Sequence, residues 1–540
     1  MSVATRLALN IPDVLLEIFS HFIPRKSWER PFPPLDISDL SMELSNIDRR
    51  SLARCALVCR TWSPFALDLL WAALPDGIGP LLNLIPGYGR FGRGGRDQGL
   101  SGAKRTFQVP ERVWQRFQQY AIRVKCFIYE RRPYGSRLAY GPPLRGVLRR
   151  AKLDLASPLL CNLYDMNGGQ PLLPNLRILQ WRSSTTPARG FALRILAGPR
   201  LNAFYIDSVQ CNYASFRSEG DLAAIEGDLA TLKKTCPRVE HIHITGTHIH
   251  EFDPSLDRLT PMCANLRSAR FDRVFGNAIV AVLAQVPRLQ VVDIELCGSR
   301  SLGDLSTPNT FRALRELTAR GNPLDIGPFL RSVTSKRLSS IKLLVSAPFP
   351  RDIMKCTEPL PLLPCADSLA RLHLDMSVHF LSHDDDDDYL PFSALLDNLL
   401  SIRQLENIKL YLTCVEVTNA DLSAIAAAWP LLRCLKVLPN PEPYERNWRG
   451  STTKPPPIRP SLLSVVDLAM KRPMLEELAV ETNYTSHNGL DEIEDFAQHA
   501  TPHANLVFFD SFTAEDGRLA TALSRLFPNA TLSWTDLDWP

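Results

Sequence analysis

One short phrase recurs along the chain. It is an apolar residue, two variable positions, a second apolar residue, one variable position and a third apolar residue. It stands at LRILQW from Leu176, LNAFYI from Leu201, VEHIHI from Val239, LRSARF from Leu266, LQVVDI from Leu289 and LRELTA from Leu314. It returns at LSSIKL from Leu338, LARLHL from Leu369, LENIKL from Leu405, LRCLKV from Leu432 and LEELAV from Leu475, with LVFFDS from Leu506 as a further copy. Between Val239 and Leu338 the starts lie 23–27 residues apart, and elsewhere gaps open to 31–43 where loops are inserted. No other feature restricts the fold as much. Each phrase is a short strand whose apolar side chains alternate into a core, and one strand cannot bury that face alone. Stacked neighbours can.

Helical content precedes many of the phrases: DLAAIEGDLATLKKTCP before Val239, NAIVAVLAQVP before Leu289, DLSAIAAAWP before Leu432 and SVVDLAMKRP before Leu475. Pro237, Pro287, Pro430 and Pro473 each stop a helix just ahead of the strand, because proline lacks the N–H and clashes with the preceding turn. Part of the high proline content, 43 residues, is thus punctuation. The pattern resembles the degenerate leucine-rich repeat domain that follows many F-boxes. The fold class expected is α/β: a curved leucine-rich-repeat-like solenoid with parallel strands inside and helices outside. The rival is an ordinary α/β domain on a parallel sheet, which uses the same alternation.

The N-terminal stretch reads LNIPDVLLEIFSHF, then an insertion, then SLARCALVCRTWSPFALDLLWAAL. Pro12 suits a first helical turn, and Ile11, Leu15, Ile18, Phe19 and Phe22 follow at helical spacing. Ser51 can cap a second helix carrying Leu52, Ala56, Cys59 and Trp62. Ser63-Pro64 reads as a restart into a third helix with Phe65, Ala66, Leu69, Leu70 and Trp71. Three such helices cannot bury all that apolar surface among themselves. The stretch resembles an F-box. Pro12, Leu15, Ile18, Phe19, Leu57, Val58, Cys59, Arg60, Trp62, Leu70 and Trp71 match that motif residue by residue. The departure is an insertion from Pro24 to about Ile47, which contains the proline-rich KSWERPFPPLD. The resemblance implies a trihelical module that binds a small Skp-type adaptor and, through it, a cullin. Pro12, Leu15, Ile18, Phe19, Leu57, Val58, Trp62, Leu70 and Trp71 are its expected adaptor-binding residues.

Three segments follow: residues 1–75 as the F-box with its loop insertion, 76–108 as a Gly/Arg-rich linker, and 109–540 as the solenoid. A helical cap, VPERVWQRFQQYAIRVKCFIY from Val109, opens the last. Gly87, Gly89 and Gly92 satisfy G-x-G-x-x-G, but no strand precedes them and no helix opens behind them, so a phosphate loop is not expected. The arginines there could touch RNA, yet no aromatic-rich sheet accompanies them. A net charge of +4 over 540 residues gives no electrostatic argument for nucleic acid or an anionic membrane. The 12 cysteines include no C-x-x-C pair and read as reduced thiols of the cytoplasm or nucleus. Asp13 and Glu17 interrupt the N-terminal apolar stretch, so no secretory signal is expected. No apolar run approaches the ~18 residues of a membrane span.

Candidate chemistry is sparse. His241 and His243 share a strand face and could ligate zinc, but no third ligand stands at fixed spacing, and two solvent-facing imidazoles are the plainer reading. Asp384 to Asp388 form a bare acidic run without the glycine turn of a calcium loop. Cys55 and Cys59 are spaced as core packing would place them. No G-x-S-x-G, H-E-x-x-H or P-loop is present, so no catalytic residue, metal or cofactor is expected. In the repeat register, residues flanking the central apolar position point away from the core. The expected substrate-binding set on that concave side is His241, His243, Arg270, Asp293, Glu316, Lys342, His373 and Lys409. The chain is therefore expected to be the non-catalytic substrate-recognition subunit of a Skp–cullin–F-box type ubiquitin ligase, its repeats holding a protein substrate. A scaffold that binds the adaptor without delivering substrate is the alternative, and an α/β hydrolase or nucleotide-dependent enzyme is a third reading.

Overall fold

A computed structural model of the chain describes residues 11–20, 46–74, 77–86, 109–130, 158–182, 189–207, 231, 234–245, 264–274, 278–298, 310–347, 350–378, 390–412, 415–438, 458–482, 490–503, 505–506, 508–511 and 517–534. The chain divides into two compact units, Met1–Asp272 and Arg273–Pro540.

The first unit opens with three helices, α1 (Pro12–Ser20), α2 (Asn46–Val58) and α3 (Trp62–Ala72). Leu15 and Phe19 are four apart and share one face of α1. With Leu52 of α2 and Ala66 of α3 they form a buried cluster, flanked by Cys55, Ala56, Trp62, Phe65, Leu69 and Leu70. The Phe19 and Trp62 rings meet edge to face at 5.9 Å, a favoured aromatic geometry. α2 begins at Asn46, so Ser51 lies inside the helix and does not cap it. Pro64 sits in the first turn of α3, where its missing N–H breaks no intrahelical bond.

After a single helical turn at Gly79–Leu82, α4 (Glu111–Ala121) buries Trp114, Phe117 and Ala121. Tyr120 meets Trp71 of α3 at 4.7 Å. Beyond α4, Arg123 pairs with Asp68 and donates to the Pro64 carbonyl at 3.1 Å. Residues 77–86, expected to begin an exposed linker, are packed instead: Ile78, Leu81, Leu82 and Ile85 are buried. GIGPLLNLI carries enough apolar surface for that, and the glycine–arginine composition starts only after it.

Strands β1 (Ala73–Leu74), β2 (Cys126–Glu130), β3 (Ile178–Arg182), β4 (Ala203–Asp207), β5 (His241–Thr245) and β6 (Ser268–Val274) pair in chain order, every pair parallel. The stack thus begins before Leu176: β1 lacks the repeated phrase, and β2 carries one further copy as VKCFIY from Val124.

The second unit repeats the plan. β7 (Val291–Leu296), β8 (Glu316–Gly321), β9 (Ser340–Ala347) and β10 (Arg371–Val378) are successive parallel neighbours. β11 (Leu390–Pro391) and, later, β13 (Val415–Glu416) form a separate two-stranded ladder. The main stack continues through β12 (Asn407–Tyr411), β14 (Cys434–Leu438), β15 (Glu477–Val480), β16 (Phe508–Ser511) and β17 (Thr531–Trp534), again all parallel. Within each unit the order follows the chain without reversing. A doubly wound enzyme sheet has a switch point where the strand order reverses, and neither run has one.

Ala269, Phe271, Val292, Ile294, Leu317, Ala319, Ile341 and Leu343, the inward positions of the phrase, are all buried. Connections are helical: α5 (Pro323–Arg331), α6 (Asn419–Ala428), α7 (Leu462–Lys471) and α8 (Gly517–Leu526). Asn322 caps α5 by accepting from the Leu324 N–H at 2.9 Å, and Thr418 with Asp421 makes a capping box on α6. α6 and α7 stop just before Pro430 and Pro473. A polar residue ahead of the phrase ties successive repeats together. Asn175 donates to the Ile122 carbonyl (2.6 Å), Asn265 to Pro237 (3.0 Å), Ser368 to Lys336 (3.1 Å) and Asn505 to Pro473 (2.7 Å). Each satisfies a carbonyl that the turn leaves over. No helix among the described residues is long and apolar enough to cross a membrane.

Candidate functional site

The expected residues fall on two kinds of surface. The first is the end of α2. Leu57 is 87% exposed and Val58 63%, and Cys59 and Arg60 beyond them are exposed too. An exposed leucine alone means little, but two large adjacent apolar side chains on a small helical module are an unpartnered patch. The other expected contact residues lie elsewhere. Leu15 and Phe19 are 0% and 2% exposed, so they hold the module together and do not face a partner. Ile18, Trp62 and Leu70 are half-buried, Trp62 and Leu70 against the same cluster. Trp71 packs on Tyr120, and Pro12 opens α1. The sequence motif does not separate the module's core from its surface, because both need apolar residues at helical spacing.

The second surface is the sheet face opposite the inward positions. In the first unit it is closed. His241 is 7% exposed and His243 2%, with Gln180 at 2% and Tyr205 at 3% on neighbouring strands. This corrects the expectation of solvent-facing imidazoles. The physical reason is the size of the neighbours: Tyr205 stands in register with His243 and its ring meets the imidazole at 5.6 Å. Burial, with the Arg267 charge behind it, pushes His241 down to about 4. Burial, reinforced by Cys126, raises the Tyr205 phenol well above its usual range. Arg270 reaches Asp272 at 3.4 Å.

In the second unit the same face is polar and half-exposed. Asp293 is buried and accepts from Arg320 at 2.7 Å. Glu316 pairs with Arg371 at 3.3 Å. Lys342, His373 and Lys409 stand side by side on β9, β10 and β12, in direct register, and Lys436 of β14 extends the row. Lys436 is bound to Glu477 at 3.1 Å. The His373 ring packs on Tyr411 at 5.3 Å. Its burial, together with Lys342 and Lys409 on either side, lowers it to about 4, so it is neutral near pH 7. Sequence reasoning missed Lys436, Tyr411 and Arg320. Lys436 was findable, since it holds in LRCLKV the position that Lys409 holds in LENIKL.

Burial lifts the thiols of Cys126 and Cys356 to about 12 and those of Cys236, Cys365 and Cys434 to about 11, with nearby carboxylates adding to the rise at Cys356 and Cys434. These groups are unreactive at neutral pH. Among the described residues no group of three or more His, Cys, Asp or Glu is placed to hold a metal ion. His248, His250, the acidic run at Asp384, the glycine-rich stretch from Gly87 and most of the insertion after Pro24 lie outside the described residues.

No protein-family model matches the chain, and no curated protein matches it. Among solved structures it is similar to a chain of the yeast Rad7 and Elc1 complex, at 15% identity and a TM-score of 0.33 over 68% of this chain and 73% of that one. It is also similar to an LRR protein of Leptospira interrogans, at 11% identity and a TM-score of 0.29 over 67% and 91%. Likenesses of this size decide neither fold nor role; the fold stands on the strand pairings above.

Proposed function

We propose that this chain is the substrate-recognition subunit of a Skp–cullin–F-box type ubiquitin ligase. The observation that carries the reading is the exposed pair Leu57 and Val58, in the LVCRTW segment that resembles the F-box motif. Removing a side chain of this kind from water is worth about 1.5–3 kcal/mol, so the pair is a strong incentive for an apolar partner. A Skp-type adaptor is the partner that the motif implies. The chain itself does no chemistry in this reading. It raises the effective concentration of a bound protein near the charged conjugating enzyme, and other subunits transfer the ubiquitin. The half-exposed face of the second unit holds the substrate, with Glu316, Lys342, His373 and Lys409 along it. The adaptor, and through it a cullin, is bound at the N-terminal module.

The test is reconstitution. The full chain, a Skp-type adaptor, a cullin with its RING subunit and a conjugating enzyme are combined with the proteins that co-purify with the chain. Ubiquitin conjugates should form on a co-purifying protein and vanish when Leu57→Glu and Val58→Glu are introduced together. A complex that assembles fully and conjugates nothing that the chain binds would reduce the role to that of a scaffold.

A further inference from the structure

The basic row on the second unit points to a specific kind of occupant. Lys342, His373 and Lys409 occupy one register line on three adjacent parallel strands. The two lysine Cα atoms are therefore roughly two strand spacings apart, about 9.6 Å, with the imidazole between them. All three side chains are half-buried. Among the described residues neither Lys342 nor Lys409 has a carboxylate within ion-pair distance, whereas Arg371 is taken by Glu316 and Lys436 by Glu477. The His373 Nε2 is buried and has no hydrogen-bond partner, and an orphaned polar atom of this kind is uncommon in a folded protein. The ring cannot easily turn away, because its face rests on Tyr411.

We infer that this row binds an acidic, unphosphorylated peptide segment of a partner protein, whose carboxylates lie between Lys342 and Lys409 and accept from the His373 Nε2–H.

The donor set favours carboxylates over phosphate. Phosphate is best held by a guanidinium fork, which gives two parallel bonds at once. Among the described residues the guanidiniums bordering the row are committed, that of Arg371 to Glu316 and that of Arg320 to Asp293. What is left is two separate point charges and one neutral N–H, spread across three strands. That spacing suits more than one carboxylate along a chain. Asp375 lies two residues beyond His373 on the same face and has an interaction of its own. Asp375 on one side of the row, and Glu316 and Glu477 on the register line at the other, confine an incoming carboxylate to the row itself. His373, neutral near pH 7, adds a donor there without adding a third cation. The inference rests on the receptor reading only for identifying the partner as a substrate; the binding itself does not depend on it.

Fluorescence anisotropy on the full chain tests this, with a labelled serine–glycine peptide carrying four glutamates. Binding should weaken about tenfold in Lys342→Gln/Lys409→Gln, the loss of two charge-assisted contacts, and should weaken as salt is raised. His373→Phe keeps a ring on Tyr411 and removes the nitrogen; it should weaken binding about threefold to tenfold, the scale of one hydrogen bond. Removing two cations from the helices, with Lys471→Gln and Arg525→Gln, should change nothing. Equal binding by a glutamine version of the peptide would overturn the proposal, as would unchanged affinity in the double-lysine variant with its melting curve intact. Clear preference for a peptide with one phosphoserine and no glutamate would overturn it too. Adaptor capture is measured on the same samples. In the wild-type chain, adaptor capture without peptide binding removes this inference alone, and peptide binding without adaptor capture removes the receptor reading alone.

Discussion

Leu15→Asp should dissolve the N-terminal three-helix module while the strand stack of the second unit stays folded. Leu15 is fully buried against Phe19, Leu52 and Ala66. Truncating a buried leucine costs about 2–5 kcal/mol through lost transfer energy and the cavity left behind, and a carboxylate in its place adds the cost of an unpaired buried polar group. Three short helices have little surplus to set against that. Amide hydrogen exchange should show protection lost in α1, α2 and α3 and retained in β8, β9 and β10. Leu57→Glu makes the informative contrast. Leu57 is already in water, so the substitution should leave the exchange pattern of all three helices unchanged. Protection that survives Leu15→Asp would mean that the buried cluster does not hold the module together.

Gly321→Ala and Gly327→Ala should each destabilise the second unit, though each adds only a methyl group. Gly321 ends β8 with φ at +133°, and a Cβ there would lie 2.2 Å from the carbonyl oxygen of Leu296 on the neighbouring strand. The conformation alone disfavours any other residue by about 1–3 kcal/mol, and the clash is with backbone that is fixed by strand pairing. Gly327 lies in α5, where a Cβ would come within 2.3 Å of the Lys355 carbonyl oxygen. That contact lets the next helical segment, Met354–Thr357, pack closely on α5. Overpacking of this kind costs about 1–3 kcal/mol. Urea unfolding followed in the second unit should show a midpoint clearly below wild type for both variants. Gly298→Ala serves as a control for the clash: it also has positive φ, +67°, but nothing within 4 Å of its Cβ, so its midpoint should fall less.

The stack was legible in the sequence because it is built by repetition. A period-two apolar phrase repeated through the chain, with proline just ahead of four of its copies, leaves few ways to bury so many identical faces. The strands beginning near Leu289, Leu314 and Leu338 lie in consecutive parallel register for that reason. β1 was not legible as part of the stack, since LLWAAL lacks the phrase and gives only two residues to the ladder, whereas VKCFIY from Val124 fits the phrase and was read only as strand-like content of the cap. The binding face was legible only in part. Register tells which way a side chain points, and that holds for Lys342 and Lys409. It does not tell whether a neighbour covers the side chain. His241 and His243 point outward by register and are still buried; Tyr205 stands beside His243 on the adjacent strand, its ring against the imidazole. Nor does register reveal which charges pair off: Glu316 finds Arg371, which is 55 residues away in sequence. In the helical module, the motif could not say that Leu15 and Phe19 face inward while Leu57 and Val58 face out.

The measurement that bears most directly on the proposed role is a calorimetric titration of the full chain with a purified Skp-type adaptor. A saturable one-to-one complex is expected. In the Leu57→Glu/Val58→Glu variant its affinity should fall by about 100-fold or more, the loss of roughly 2.8 kcal/mol expected when an interface anchor is removed, with no change in melting temperature. No heat of binding with the wild-type chain, or an affinity that the double variant leaves unchanged, would contradict the assignment of this module as the adaptor-binding end of a ubiquitin ligase receptor.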